Sequence, residues 1–117
     1  MLKRLIGQTA EAHAEQYLIA QGLKRVARNW RCRFGEIDLI MREGDTLVFV
    51  EVRMRSHADF GGAAASVDLS KQRKLLAAAR LYLSALPDMP PCRFDVVALT
   101  DQRAAPQWIR NAFDDMG

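Results

Sequence analysis

Residues 35–53 read GEIDLIMREGDTLVFVEVR and contain the two strongest strand patterns of the chain. Apolar and polar residues alternate over 36–42 and again, less strictly, over 46–53, which is typical of β-strands. Between them, Gly44 and Asp45 form a favoured two-residue hairpin loop. The segment therefore predicts an antiparallel hairpin.

The two faces of this predicted hairpin differ in chemistry. With the two-residue loop, Asp38 lies directly opposite Glu51 and Glu36 directly opposite Arg53, so charge gathers at the end of one face away from the turn. The other face is wholly apolar and must pack against another element; it carries Ile37, Leu39, Met41, Val48, Val50 and Val52.

The remaining elements follow from periodicity and capping residues. We predict a helix over 8–21, with Thr9 as its N-cap and Gly22 as its stop, followed by a strand over 23–31. After the hairpin we predict a small-residue loop over 56–66 and a helix over 70–86, capped by Asp68 or Ser70 and stopped at Pro87. A strand over 93–99 and a weaker strand over 107–110 complete the chain. The order α-β-β-β-α-β-β predicts an α/β fold, with a central mixed β-sheet of four or five strands and a helix on either side.

Composition limits the class of protein. The chain has 117 residues, of which half are hydrophobic, so we expect one globular domain spanning 1–117 rather than a disordered tail, a collagen-like repeat or a coiled coil. It has 17 Lys and Arg against 14 Asp and Glu, a net charge of +3, which permits a nucleic-acid partner without requiring one. The two cysteines are far apart, and no signal peptide or membrane span is recognisable. We therefore expect a soluble cytoplasmic protein.

Basic residues concentrate in two places. Between 24 and 33 there are five without an acid among them, namely Lys24, Arg25, Arg28, Arg31 and Arg33. They fit either a solvated edge strand or a stripe that faces phosphates, with Trp30 placed for stacking. The second helix carries Lys71, Arg73, Lys74 and Arg80, which fit a solvated face or a surface that approaches phosphates.

The predicted pairing of Asp38 with Glu51 is the feature that could carry chemistry. Carboxylates directly opposite each other on a sheet have Cβ atoms about 5 Å apart, and they need a proton, a cation or a metal to offset their repulsion. Oxygen ligands suit Mg²⁺ or Mn²⁺, and such an ion activates water and stabilises charge on a phosphoryl group. A solvent-exposed ion-pair network with Glu36 and Arg53 is the competing interpretation.

The wider motif favours the metal interpretation. The strings at 35–40 (GEIDLI) and 50–53 (VEVR) resemble the PD-(D/E)XK nuclease signature, an Asp on one strand and a Glu/Asp-X-Lys tripeptide on the next. More narrowly, the chain resembles the YraN family of uncharacterised bacterial proteins. The matching residues run nearly end to end: Gly7, Glu11, Tyr17-Leu18, Gly22, Asn29-Trp30-Arg31, 35–40, 48–53, Arg55, Phe60-Gly61, Ser66-Val67, Lys71-Gln72, Tyr82-Leu83, 93–97 and 111–113.

This resemblance implies a restriction-endonuclease-like core related to archaeal Holliday-junction resolvases. It implies that Glu11 on the first helix joins Asp38 and Glu51 at the metal, with Glu15 one turn further along as the alternative. Glu36 and Arg55 would support the site. Arg53 occupies the position of the superfamily lysine, and because arginine stays protonated it cannot act as a base, although it can hold a phosphate.

Three functions follow as hypotheses. The first is an endonuclease that uses Mg²⁺ or Mn²⁺ to cut DNA, branched or damaged, with Glu11, Asp38, Glu51 and Arg53 as the catalytic set. Its nucleic-acid contacts would be Arg25, Arg28, Arg31, Arg33, Lys71 and Gln72. The second is a non-catalytic module that binds DNA or RNA on the same fold, and the third is a protein-interaction scaffold. A homodimer stays open, because the sequence contains no interface signature.

Overall fold

The computed structural model describes residues 2–54, 67–100 and 105–113, with side chains described from Ala10 onward. The predicted loop over 56–66 and the supporting residue Arg55 lie outside these ranges. The elements are α1 (Leu2–Ala20), β1 (Lys24–Cys32), β2 (Gly35–Glu43), β3 (Thr46–Met54), α2 (Leu69–Ser84), β4 (Cys92–Leu99) and β5 (Gln107–Phe113). The predicted order of elements is confirmed.

The five strands form one mixed sheet in the order β1-β2-β3-β4-β5. Neighbouring strands are antiparallel except β3 and β4, which are parallel and are connected through α2. The hairpin register is the predicted one, running from Glu43↔Thr46 at the turn to Leu39↔Val50. Gly44 adopts a positive φ of 59° in the turn, which the two-residue loop requires.

A helix covers each face of the sheet, as predicted, and each helix buries its own core. On the α1 side the core comprises Ala10, Ala14, Leu18, Leu23, Leu39, Met41, Val48, Val50, Val97 and Leu99. On the α2 side it comprises Ile37, Ile40, Leu47, Phe49, Val67, Leu75, Ala78, Ala79, Leu83, Phe94, Val96 and Ala98. Trp30, expected to be available for stacking on bases, instead packs edge-on against Tyr82 of α2.

Element ends differ from the predictions. Helix α1 begins at Leu2, so Thr9 is not its N-cap; the residues before Thr9 are mostly good helix formers and extend it. Helix α2 begins at Leu69, and Asp68 is the cap, because its side chain accepts from the Lys71 N–H at 2.8 Å. Strand β5 continues to Phe113, whose ring stacks on that of Phe94.

One face assignment in the hairpin was wrong. In a regular strand Ile37 would share a face with Leu39, but Ile37 lies in the α2-side core and Leu39 in the α1-side core. The alternation of β2 is therefore interrupted at Asp38. Asp38 belongs to neither core, and its position at the interruption determines the geometry of the site described below.

No helix in the described part of the chain is long and apolar enough to cross a membrane.

Candidate metal centre

Carboxylates from three elements meet at the end of the sheet away from the hairpin turn. Glu11 comes from α1, Glu36 and Asp38 from the start of β2, and Glu51 from β3. We call these four residues the carboxylate cluster. One oxygen each from Glu11, Glu36 and Asp38 lies within 4.8 Å of the other two. The structure thus brings Glu11, Glu36 and Asp38 into one compact group, and Glu51 joins it through its interaction with Asp38.

Asp38 is the centre of the cluster. Its Oδ2 accepts a hydrogen bond of 2.8 Å from the Val52 N–H of β3. Regular pairing of β2 with β3 stops at Leu39↔Val50, so the predicted backbone pairing of Asp38 with Glu51 does not form. The side chain of Asp38 bonds to β3 in its place. Directed along the sheet toward β3, Asp38 interacts with Glu11 from the α1 side and with Glu51 from the α2 side.

The electrostatics of Glu11 reflect this crowding. Its pKa is raised from 4.5 to about 7, mainly by burial and also by the negative charges of Asp38 and Glu36. A hydrogen bond from Asn29 acts in the opposite direction. Glu11 Oε2 is buried without a hydrogen-bond partner. The carboxyl therefore has an unused ligand atom.

Glu51 is in a similar but deeper position. Its side chain is 4% exposed, and its Oε1 has no hydrogen-bond partner. Burial raises its pKa to about 8, assisted by the charge of Asp38 and a hydrogen bond with that residue, while Lys71 and Arg53 act to lower it. With this raised pKa, the Glu51 carboxyl is largely protonated at neutral pH, which limits its repulsion from Asp38.

Among the described residues, two positive side chains flank Glu51. Arg53 Nη2 lies 3.1 Å from Glu51 Oε2, and Lys71 Nζ, from the first turn of α2, lies 3.6 Å from the same oxygen. The predicted pairing of Arg53 with Glu36 across the hairpin is absent from the described pairs, since the ladder ends before it. Gln72, predicted to contact nucleic acid, donates to the Val67 carbonyl oxygen at 2.9 Å and so anchors the start of α2.

The donor set fits a hard divalent cation. All four members of the cluster offer carboxylate oxygens, the ligands that Mg²⁺ and Mn²⁺ prefer. Two of the oxygens, on Glu11 and Glu51, are buried and unsatisfied. A buried acceptor without a donor is costly, and a cation held by Asp38 together with Glu11 or Glu51 would satisfy such an oxygen and offset the repulsion.

The arginines of β1 and of the turn after it do not form the free stripe facing phosphates that was one of the two predictions, because each contacts another side chain. Strand β1 is an edge strand, and Arg25 and Arg28 both reach the buried Glu15, at 3.2 Å and 2.6 Å. Arg31 lies 3.5 Å from Glu36, and the Arg33 guanidinium stacks 4.8 Å above the Phe34 ring. Glu15, the alternative to Glu11, is therefore occupied by arginines, and Glu11 is the helix carboxylate that joins the cluster.

The sequence analysis did not predict a second charged network, which is centred on Asp95 and Arg93. Asp95 of β4 is fully buried and accepts from Arg93 Nε, from Trp108 Nε1 and from the Asn111 N–H, at 2.9–3.2 Å. Arg93 and Arg110 both bind Glu43 at the far end of β2. The only signal for it was an acid within the apolar strand 93–99, where a buried charge requires partners.

Comparison with known proteins assigns a family. A model of the uncharacterised protein family UPF0102 matches residues 10–99. The chain belongs to the UPF0102 family. UPF0102 proteins of Nitrosospira multiformis, Cupriavidus metallidurans and Pseudomonas entomophila are 57%, 60% and 55% identical to it. The matches cover 97%, 92% and 92% of this chain and 97%, 80% and 92% of those proteins.

Membership of UPF0102 confirms the resemblance to a family of uncharacterised bacterial proteins. All members of the carboxylate cluster, and Arg53 and Lys71 beside it, lie within the UPF0102 match at 10–99. Strand β5, which completes the Asp95 network, lies beyond it. The names of these relatives state no activity.

Proposed function

We propose that this UPF0102 protein is an endonuclease that depends on a divalent cation, Mg²⁺ or Mn²⁺, and hydrolyses phosphodiester bonds in DNA. The observation that carries the proposal is the carboxylate cluster, with three ligand oxygens within 4.8 Å of one another and with Glu51, whose Oε1 is buried and unsatisfied, in contact with Asp38. We also propose that the fold is restriction-endonuclease-like. The hairpin with Asp38 on one strand and Glu51 on the next, and the parallel connection through α2, support this classification.

The distribution of charge supports a cation rather than a simple ion-pair network. Four carboxylates face two flanking cations, Arg53 and Lys71, and both of these reach the same oxygen of Glu51. Glu11 and Asp38 have no ion pair among those recorded for the described residues, while Glu36 has only the 3.5 Å contact with the exposed Arg31. Once its carboxyls are ionised, the cluster holds more negative charge than these described cations balance, and a divalent cation would neutralise the excess.

The residues divide into three roles. Asp38, Glu51 and Glu11 would hold the cation, with Glu36 beside them, and the ion would supply a more acidic water and neutralise charge on the phosphate. Arg53 stays positively charged and suits the developing negative charge of the transition state. Lys71, which lies beside the same oxygen of Glu51, would approach the phosphate from α2.

Access of DNA is consistent with the surface around the cluster. Although paired, the side chains of Arg25 and Arg31 are 53% and 69% exposed, so their remaining N–H groups can contact phosphates. On α2, Arg73 and Lys74 are exposed close in sequence to Lys71. These cations would contact the backbone rather than the bases, which predicts structure-dependent rather than sequence-dependent recognition.

The first experiment is titration of Mn²⁺ into the wild type, Asp38→Asn and Glu51→Gln by calorimetry, followed by cleavage assays on duplex, nicked and four-way branched DNA and on RNA. We expect binding to the wild type and a loss of at least about tenfold in affinity in both variants. Asp88→Asn, which changes an exposed carboxylate after α2, is the matched control and should bind like the wild type.

The outcomes separate the claims. Cleavage of DNA by the wild type, abolished in Asp38→Asn and Glu51→Gln but not in Asp88→Asn, supports the proposal. Equal Mn²⁺ binding by all four proteins contradicts the cation site, and cleavage of RNA alone contradicts the choice of DNA.

Arg53 gives a specific reason to consider a second function, a module that binds DNA without cutting it. If a lysine is required to orient the attacking water, the present chain binds a cation and DNA but does not hydrolyse the strand. Arg53→Lys tests this directly. Cleavage that appears only in Arg53→Lys favours the binding module, and cleavage by the wild type contradicts it.

A further inference from the structure

Asn29 has an unusual backbone conformation in the middle of the edge strand β1. Its φ is +55°, in the left-handed region that residues other than glycine rarely adopt. Asparagine is among the residues that tolerate this region best, but a strand normally avoids it. Such a conformation persists only where the surroundings maintain it, so it is a reason to look for a role.

The position of Asn29 explains the shape of the hairpin beside it. The pairs Arg28↔Leu39 and Trp30↔Ile37 flank it, so Asn29 lies opposite Asp38. Arg28 reaches Glu15 on the α1 side, whereas Trp30 packs in the α2-side core, so the alternation of β1 is interrupted at Asn29. β2 is interrupted at the facing residue, Asp38. The alternation of side chains between the two faces is therefore interrupted at facing positions of β1 and β2, a feature we call the phase change.

The side chain of Asn29 reaches the carboxylate cluster. Its amide hydrogen-bonds to the carboxyl of Glu11 and opposes the rise in the pKa of Glu11 caused by burial and by Asp38. Asparagine can donate two hydrogen bonds and adds no charge. A donor at this point can fix the carboxyl of Glu11 while leaving the unsatisfied Oε2 available as a ligand atom.

We propose that Asn29 is a positioning residue of the metal centre: its left-handed backbone directs the amide onto Glu11 and so orients that carboxyl, together with Asp38 opposite, for cation binding. This inference rests on the proposed function only in assuming that the carboxylate cluster binds a divalent cation. It does not depend on whether DNA is cut. Outer partners of ligating carboxylates are known to affect metal affinity by about 10–100-fold.

Two substitutions separate the amide from the backbone conformation. Asn29→Gly removes the amide, and glycine adopts positive φ readily, so we expect an unchanged or higher melting temperature with Mn²⁺ affinity lowered roughly tenfold. Asn29→Ala also lacks the amide but is strained at this φ, so we expect the same loss of affinity with a lower melting temperature. Affinity should follow the amide and stability should follow the backbone.

Asn111 provides the matched control. It lies in β5 with φ of +51°, and its contact with Asp95 uses the backbone N–H, which glycine retains. Asn111→Gly should leave Mn²⁺ affinity at the wild-type value. Affinity is measured by calorimetry and by the Mn²⁺ electron paramagnetic resonance signal, and the melting temperature is measured on the same metal-free samples.

The results distinguish the two proposals. If the wild type binds Mn²⁺ and Asn29→Gly binds it equally well, the role of Asn29 is wrong while the metal centre stands. If Asn111→Gly loses as much affinity as Asn29→Gly, the effect is general to the sheet and the proposal fails. If the wild type does not bind Mn²⁺ at millimolar concentration, both the metal centre and the role of Asn29 are overturned.

Discussion

At the scale of single residues, Asp95 shows how a buried charge is stabilised without a ligand. It is 0% exposed, yet both of its oxygens accept hydrogen bonds, from Arg93, Trp108 and the Asn111 backbone. Glu51 is almost as buried but has an oxygen without a donor. The contrast between a satisfied and an unsatisfied carboxylate on neighbouring strands is what distinguishes a structural network from a candidate site.

Replacing Asp95 should therefore cost stability and leave cation binding intact. Asp95→Ala leaves the Arg93 guanidinium half-paired in a largely buried position, so we expect a loss of about 3–5 kcal/mol in the free energy of unfolding. Urea denaturation measures the loss. Asp88→Ala, at an exposed site, should change it by less than about 0.5 kcal/mol. A loss no larger than that in Asp95→Ala would show that the network contributes little.

At the scale of elements, α1 carries two glutamates one turn apart with different partners. Glu15 connects α1 to the edge strand β1 through Arg25 and Arg28, whereas Glu11 enters the carboxylate cluster. The helix is placed on the sheet by its buried face, including Ala14 and Leu18, and that placement determines which glutamate reaches which group.

These two glutamates give opposite predictions. Glu15→Ala should lower the free energy of unfolding by about 1–3 kcal/mol, because it leaves two arginines without their acceptor, and should not change Mn²⁺ affinity. Glu11→Ala should keep or raise stability, because it removes a like charge from the cluster, and should weaken Mn²⁺ binding by about tenfold or more. Chemical denaturation and calorimetry on both variants test the assignment, and reversed results would make Glu15 the ligand.

At the scale of the whole molecule, the carboxylate cluster connects folding to pH. The pKa values of Glu11 and Glu51 are raised from 4.5 to about 7 and about 8 in the folded chain. Between about pH 4.5 and pH 8 the folded state holds protons on these carboxyls that the unfolded state has released, so the free energy of unfolding falls as pH rises through this range. The stabilising contribution is complete below about pH 4.5 and lost above about pH 8.

We therefore expect the metal-free protein to melt at a lower temperature at about pH 8.5 than at about pH 5, the difference reflecting a change on the order of a few kcal/mol. Mg²⁺ should raise the melting temperature more at the higher pH, where the carboxylates are ionised and bind best. Scanning calorimetry measures both effects. In Glu51→Gln the fall with pH should be smaller, and an equal fall would assign it to other groups.

Much of the architecture could be predicted from residue pattern alone. Alternation and the Gly44-Asp45 turn determine the hairpin and its register, since a two-residue loop leaves one way to pair the strands. Helical periodicity identified α1 and α2, although the start of α1 was misplaced because an end signal such as Thr9 is weak beside residues 2–7, most of which favour helix.

The candidate site could be predicted in part. Its carboxylates were identified by resemblance and by charge gathered at one end of the hairpin. How they meet was not predicted, because the prediction assumed uninterrupted alternation, which places Asp38 and Glu51 on one face. The real arrangement depends on the phase change at Asn29 and Asp38.

What this sequence determines by itself is local: where strands and helices form, how the hairpin pairs, and which charges stand close along the chain. Only the tertiary structure decided that Glu11 rather than Glu15 joins Asp38, that Arg25 and Arg28 are taken by Glu15, and that Asp95 is satisfied while Glu51 is not. The physical reason is that electrostatic energy depends on distance and burial between residues far apart in the chain, and neither quantity is written in residue order.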